Sequence, residues 1–236
     1  MSKGYPGLGG VLRSLPFDAA TDPRKGFYVV DDFIGLIAGG LAWTLTGTGG
    51  TATYPAAEAD APGIVRLTAA TAGFAAGLSL VNFPFKVSAL GQLYMACRFR
   101  IPTALTTREV RIGFVNAAPT AGQPDHGVWL EYDAAVDADD WQVGSDNGTT
   151  DSQIVGGTDA GTPVFGTWYV AELMLSTTSA TVYVDGNLVN ETAISAVTTE
   201  PLSPFVYVGD GTNGATLDVD YIAVKGVHAR AGYTAV

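Results

Sequence analysis

The sequence predicts an all-β protein built as an antiparallel β-sandwich or barrel, and three observations carry that expectation. Short segments alternate apolar and polar residues with a period of two. In "LYMACRFRI", Leu93, Met95, Cys97, Phe99 and Ile101 fall on one side, and Tyr94, Ala96, Arg98 and Arg100 on the other. Breaks rich in Gly, Asp, Asn, Pro and Thr separate these segments about every 8–12 residues, the spacing of a many-stranded sandwich. No stretch keeps a 3.6-residue apolar period over three turns, so helix should be scarce.

Taken in order, the first 26 residues hold Gly4, Gly7, Gly9, Gly10, Pro6, Pro16 and Pro23 and have little periodicity. They read as an extended N-terminal arm, ahead of a single domain over residues 27–236. "GFYVVDDF" opens the domain, and "LAWTLTG", "IVRLTA" and "LSLVNF" follow. "EVRIGFVN" places Val110, Ile112 and Phe114 on one face. "GVWLEYD", "DDWQVGS", "TWYVAELMLS", "PFVYVGDG" and "LDVDYIAVKG" continue the pattern, for about twelve strands in all. "SATVYVDGNLVNE" is a hairpin: Val182 and Val184 alternate with Thr181 and Tyr183, and Asp185 and Gly186 form the pair that suits a tight turn. Within the alternating strand around it, Cys97 is expected to be a small core residue.

Of the 236 residues, 47% are apolar, enough for one sizeable core, and only 15% are charged. No apolar run reaches the 18 residues of a membrane span, and the N-terminus lacks the apolar run of a signal peptide, so Sec-type export is not expected. The single cysteine rules out an intrachain disulfide. The net charge is −11, and between Arg111 and Lys225 there are 16 acidic residues and no Lys or Arg. Such an acidic body argues against binding a phosphate backbone, so no nucleic-acid partner is expected.

The order "RIGFVN", "DHGVWLEYD", "DDWQVGSDNGTT", "GTWYVAELMLSTTSATVYVDGNLVNE", "PLSPFVYVG" and "LDVDYIAVKG" resembles the concanavalin A-like lectin and glucanase jelly roll. There a G-x-W strand precedes a "VYVDG"-type hairpin, and a "VDYIAV"-type strand closes the sandwich. The likeness covers roughly residues 26–226, in the form found in bacteriophage virion structural proteins. It implies a non-enzymatic virion component made in the host cytoplasm: a capsid decoration or cement protein, a head fibre or a tail part. The arm would dock on a major capsid or tail protein through Tyr5, Leu8, Val11, Leu12, Leu15 and Phe17, in a homo-oligomer expected to be a trimer.

The alternative is a carbohydrate-binding module for host-surface adhesion, with Trp129, Glu131, Asp133 and Trp141 as its glycan face. A glycoside hydrolase comes third. Glucanases of this fold carry three carboxylates along one strand. In "WLEYDAAVDADDW", Glu131 and Asp133 share a face, but Ala135 and Val136 stand where the third should be. His126 and His228 are too far apart in sequence to suggest a zinc cluster. The Asp-rich segments 133–140 and 144–151 leave calcium open as a ligand, but turn chemistry explains them without an ion, so no cofactor is expected. "GLGG" lacks the strand, the Lys-Ser/Thr and the helix of a phosphate loop. Trp168 is expected to be structural.

Overall fold

The structure is a computed structural model that describes residues 26–33, 43–55, 58, 61, 63–70, 75–80, 85–102, 108–116, 126–133, 140–147, 151–154, 161–193, 200–210 and 214–227. Fifteen strands and one helical turn make up the described chain. The first part contains β1 (Gly26–Asp31), β2 (Thr44–Thr46), β3 (Gly50–Thr53), β4 (Val65–Ala69), β5 (Ala75–Ser79), α1 (Val87–Leu90), β6 (Gln92–Arg100) and β7 (Arg108–Val115). Then come β8 (His126–Asp133), β9 (Gln142–Asn147), β10 (Asp151–Ile154), β11 (Trp168–Ser176), β12 (Ser179–Val184), β13 (Asn187–Ala193), β14 (Ser203–Asp210) and β15 (Ala215–Val227). The arm anchors Tyr5, Leu8, Val11, Leu12, Leu15 and Phe17 lie outside the described residues.

The strands form two sheets. One has eight strands, in the order β13-β12-β11-β6-β15-β4-β3, with β1 also paired to β15. The other has seven, in the order β10-β9-β8-β7-β14-β5-β2. Every strand pairing is antiparallel. Sequence neighbours repeatedly fall in opposite sheets: β6 and β7 do, and so do β14 and β15. That crossing makes a sandwich of what would otherwise be a meander.

Period-two alternation builds the core. From the eight-stranded sheet come Leu93, Met95, Cys97 and Phe99 of β6, Ala171, Leu173 and Leu175 of β11, and Leu217, Val219, Ile222 and Val224 of β15. From the seven-stranded sheet come Val110, Ile112 and Phe114 of β7, Val128, Leu130 and Tyr132 of β8, and Val206 and Val208 of β14. Cys97 lies among them as a buried free thiol, and burial pushes its pKa well up, which keeps it protonated and inert.

The outward side of β6 departs from the polar, solvated face expected of it. Tyr94, Ala96 and Arg98 are buried as well. Arg98 Nη1 donates to Asp220 Oδ2 at 2.6 Å, and a β-bulge in β15 between Val219 and Tyr221 makes room for that extra acidic residue. Arg66 donates twice to Asp218, at 2.6 and 2.8 Å. Arg100 bridges Asp218 and Glu58, each at 2.7 Å. The alternation in β6 therefore separates an apolar layer from an ion-paired layer, not from water. Trp168 is structural as expected, but in that ion-paired layer: the guanidinium carbons of Arg98 and Arg100 lie 4.8 and 4.5 Å from its ring centroid.

The β12–β13 hairpin turns as its sequence predicts. Asp185 and Gly186 both adopt positive φ, 51° and 80°, as a type I′ turn requires. The Asp185 carboxylate does more than shape the turn. Its Oδ1 accepts from the Val170 N–H at 2.8 Å, while its own N–H donates to the Val170 carbonyl at 2.9 Å, so the turn is fastened to β11. Asp185→Ala loses the acceptor and strains a positive φ, and should lower unfolding free energy by about 1–2 kcal/mol in chemical denaturation. Asp185→Asn keeps an acceptor and tolerates the conformation, and should recover most of that loss.

Candidate functional site

The chemistry-bearing groups gather on the face of the seven-stranded sheet that points away from the core. Antiparallel pairing sets Glu109 opposite Asp133, Arg111 opposite Glu131 and Gly113 opposite Trp129. It also sets Arg111 opposite Tyr207 and Glu131 opposite Gln142. Paired residues share a face, so Tyr207, Arg111, Glu131 and Gln142 run in one row across β14, β7, β8 and β9, with Glu109 and Asp133 in the adjacent row.

Arg111 organises the group. It donates from Nη2 to Glu109 Oε2 at 2.7 Å and from Nε to Glu131 Oε1 at 3.3 Å. Its guanidinium carbon stands 5.7 Å from the ring centroids of both Trp129 and Tyr207. Glu131 is sealed, with 0% of its side chain exposed, and its Oε2 accepts from Trp129 Nε1 at 2.7 Å. The Trp129 indole lies against Gly144, where a Cβ would come within 2.2 Å of its Cε2 and Nε1. Tyr207 is hydrogen-bonded to Glu109, and burial, followed by that neighbouring carboxylate, raises the pKa of its phenol. Glu109 keeps 22% of its side chain exposed, and Asp133 at the end of β8 is half-buried.

Each of Glu109, Glu131 and Asp133 has a carboxylate oxygen within 4.8 Å of one on each of the others. The third carboxylate that "WLEYDAAV" lacks is thus supplied by β7. That spacing is near the roughly 5–5.5 Å of a retaining glycosidase pair. Access differs, because Glu131 is closed to solvent and committed to Arg111 and Trp129, so a glycosidic carbon could not reach it. A calcium ion would need about six to eight oxygens, whereas Arg111 already supplies the positive charge to two of these three groups. The donor set fits an ion-paired cluster better than a metal cage. Residues 134–139 and 148–150, which hold most of the Asp-rich loops, are outside the described residues.

Of the four residues expected to form a glycan face, three share one side of the sheet: Trp129, Glu131 and Asp133. The Trp141 expectation is corrected. Gln142 pairs with Glu131 and shares its face, so Trp141, one residue earlier, points into the core. There it makes edge contacts with Phe99, Tyr132 and Tyr169 at centroid distances of 5.7, 5.9 and 5.6 Å. Trp129 is also corrected as an open stacking platform: it is 1% exposed, because its ring is turned down onto Gly144 to reach Glu131. The sequence reading missed Glu109, Arg111 and Tyr207. Their parity was available, since they alternate with Val110, Ile112, Val206 and Val208, but the strand pairing that joins them to β8 was not.

Burial is the largest influence on Glu109 and raises its pKa above the usual carboxylate value. Arg111 and Tyr207 oppose the rise, and Glu131 and Asp133 add to it. A carboxyl whose folded pKa exceeds its unfolded one holds its proton better when folded. Stability should therefore fall as pH rises from about 4.5 through the folded value. Melting curves between pH 4.5 and 7 should show this slope, and Glu109→Gln should flatten it. Arg111→Met strands the sealed Glu131 charge and should cost about 3–5 kcal/mol in urea unfolding. Adding Glu131→Gln should recover part of that, since glutamine still accepts from Trp129 and carries no charge.

No protein-family model matches the chain, and no curated protein is similar to it in sequence. Its fold has many solved counterparts. A protein of unknown function from Shewanella oneidensis MR-1 aligns with a TM-score of 0.59 at 17% identity, over 95% of each chain. The carbohydrate recognition domain of Emp47p aligns with a TM-score of 0.58 at 13% identity, over 87% of this chain and 99% of that one. Alginate lyase AlyC3 aligns with a TM-score of 0.52 at 8% identity, over 71% and 76%. These neighbours include lectins and an enzyme, and what they share with this chain is architecture. The chain folds as a lectin-like, concanavalin A-like jelly-roll β-sandwich.

Proposed function

We propose that this protein is a non-enzymatic carbohydrate-recognition module whose binding face is the outer side of the seven-stranded sheet, centred on Glu109 and Asp133. The observation that carries this reading is the pairing of two carboxylates that retain solvent access beside a sealed row of Arg111 and Glu131 on the same face. Arg111, itself held by Glu131 and Trp129, fixes Glu109, and antiparallel pairing sets Asp133 opposite it. Carboxylates held side by side are strong, pre-ordered acceptors for the paired hydroxyls of a sugar ring. Likeness to a carbohydrate recognition domain supports the reading at the level of fold. The closure of Glu131 favours binding over cleavage. Docking into a virion, the reading implied by the sequence resemblance, rests on the arm residues 1–26, and the lectin-like neighbours favour the carbohydrate reading over it.

A negatively charged face selects for neutral, hydroxyl-rich glycans. On a glycan array the intact protein should bind members of that class. Asp133→Asn should weaken the binding about tenfold or more, the loss of one charge-assisted hydrogen bond, with the protein still folded by circular dichroism. An array without binders, or an affinity unchanged by Asp133→Asn, would refute the proposal.

A further inference from the structure

On the opposite sheet, Lys225 is 4% exposed as a residue, its stem packed and its ammonium tip reaching solvent, and that ammonium makes no hydrogen bond or ion pair among the described residues. Buried lysines are rare unless paired. The chain has 23 acidic residues and pairs the neighbouring arginines fully: Arg98 with Asp220, Arg66 and Arg100 with Asp218. Lys225 lies opposite Tyr28 of β1 and Tyr94 of β6, so all three point to the outer face of the eight-stranded sheet. The Tyr94 hydroxyl is committed to Gln92 Oε1 at 2.6 Å and offers Lys225 no counter-charge. Tyr28 is 42% exposed and leaves a ring open beside the lysine. Burial lowers the Lys225 pKa, the direction expected of an ammonium without a partner.

We propose that Lys225 and Tyr28 form a second ligand site, on the outer face of the eight-stranded sheet, for a monocarboxylate sugar of the uronic acid class. The lysine supplies the missing ion-pair partner for the carboxylate, and the open tyrosine ring supplies a flat apolar surface for the C–H face of a pyranose. A single unpaired cation among the described residues of this face, on a chain of net charge −11, favours one carboxylate over a polyanion such as a nucleic acid. The acidic groups of this face are Asp218 and Glu58, paired with Arg66 and Arg100, Asp220, paired with Arg98, Glu172, which has a partner of its own, and Glu191 on the edge strand β13, two strands beyond β11. The proposal stands independently of the neutral-glycan site on the other sheet.

The test uses the full chain with D-glucuronate as probe, and with D-glucose and acetate as controls. Binding is read by calorimetry, and by protection of Lys225 from acetylation followed by peptide mass spectrometry. Glucuronate should bind and protect Lys225, and glucose should do neither. Lys225→Met, which keeps the packed stem, should weaken glucuronate at least tenfold. Tyr28→Ala, at an exposed position, should weaken it severalfold with the melting temperature unchanged. Asp133→Asn should leave glucuronate binding intact, which separates this site from the neutral-glycan face. Absence of both heat and protection overturns the proposal. So does acetate protecting as well as glucuronate, which indicates a bare anion site. Protection that grows with protein concentration in the absence of sugar also overturns it, in favour of a carboxylate from a second copy.

Discussion

Between β7 and β8, Val110 lies opposite Tyr132, Ile112 opposite Leu130 and Phe114 opposite Val128. The intervening pairs are Glu109 with Asp133, Arg111 with Glu131 and Gly113 with Trp129. One register therefore fills the core and assembles the carboxylate–arginine cluster. A slip by one residue would turn Arg111 and Glu131 into the apolar interior and push Ile112 and Leu130 out. The cost of burying those charges in the core and the loss of apolar burial act against the same error. Gly113 and Gly144 complete the arrangement, because a side chain at either would collide with β8 or with the indole that lies over it.

Both sheets carry charge on their outer faces, and both manage it by pairing. On the eight-stranded sheet, Arg66, Arg98 and Arg100 meet Asp218, Asp220 and Glu58 across strands. On the seven-stranded sheet a single Arg111 serves Glu109 and Glu131. Removing one member of such a set leaves an uncompensated charge, so these networks specify register more than they add stability. Lys225 breaks this rule among the basic side chains of the described faces. On the other sheet, burial above all, with Glu131 and Asp133 adding to it, gives Glu109 its raised pKa. In both places the departure from pairing, more than the pairing itself, points to where a ligand would act.

The fold was legible to a large extent because it depends on local signals. Alternation in "LYMACRFRI" separates Leu93, Met95, Cys97 and Phe99 from Arg98 and Arg100, and the structure keeps that separation. Asp185 and Gly186 mark their own turn through the positive φ that it requires. The site was less legible. Glu131 and Asp133 could be placed on one face from their spacing, but Glu109, Arg111 and Tyr207 lie on other strands, and parity alone does not say which strands are neighbours. Trp141 was misplaced because its face depends on where β9 begins: with Gln142 fixed opposite Glu131, Trp141 must point inward.

The sequence by itself determined the all-β class, the core-facing residues of most strands, the hairpin turn and the acidic character of the chain. Each follows from period-two geometry, backbone preference or composition, which act over a few residues. Tertiary structure alone decided that the outer face of β6 is buried, that a carboxylate from β7 completes the group begun on β8, and that Trp129 is bound down to Glu131. It also decided that Lys225 has no counter-charge among the described residues. These outcomes depend on pairings between strands far apart in the chain, where burial turns a modest charge or an ordinary aromatic into a group that must find a partner.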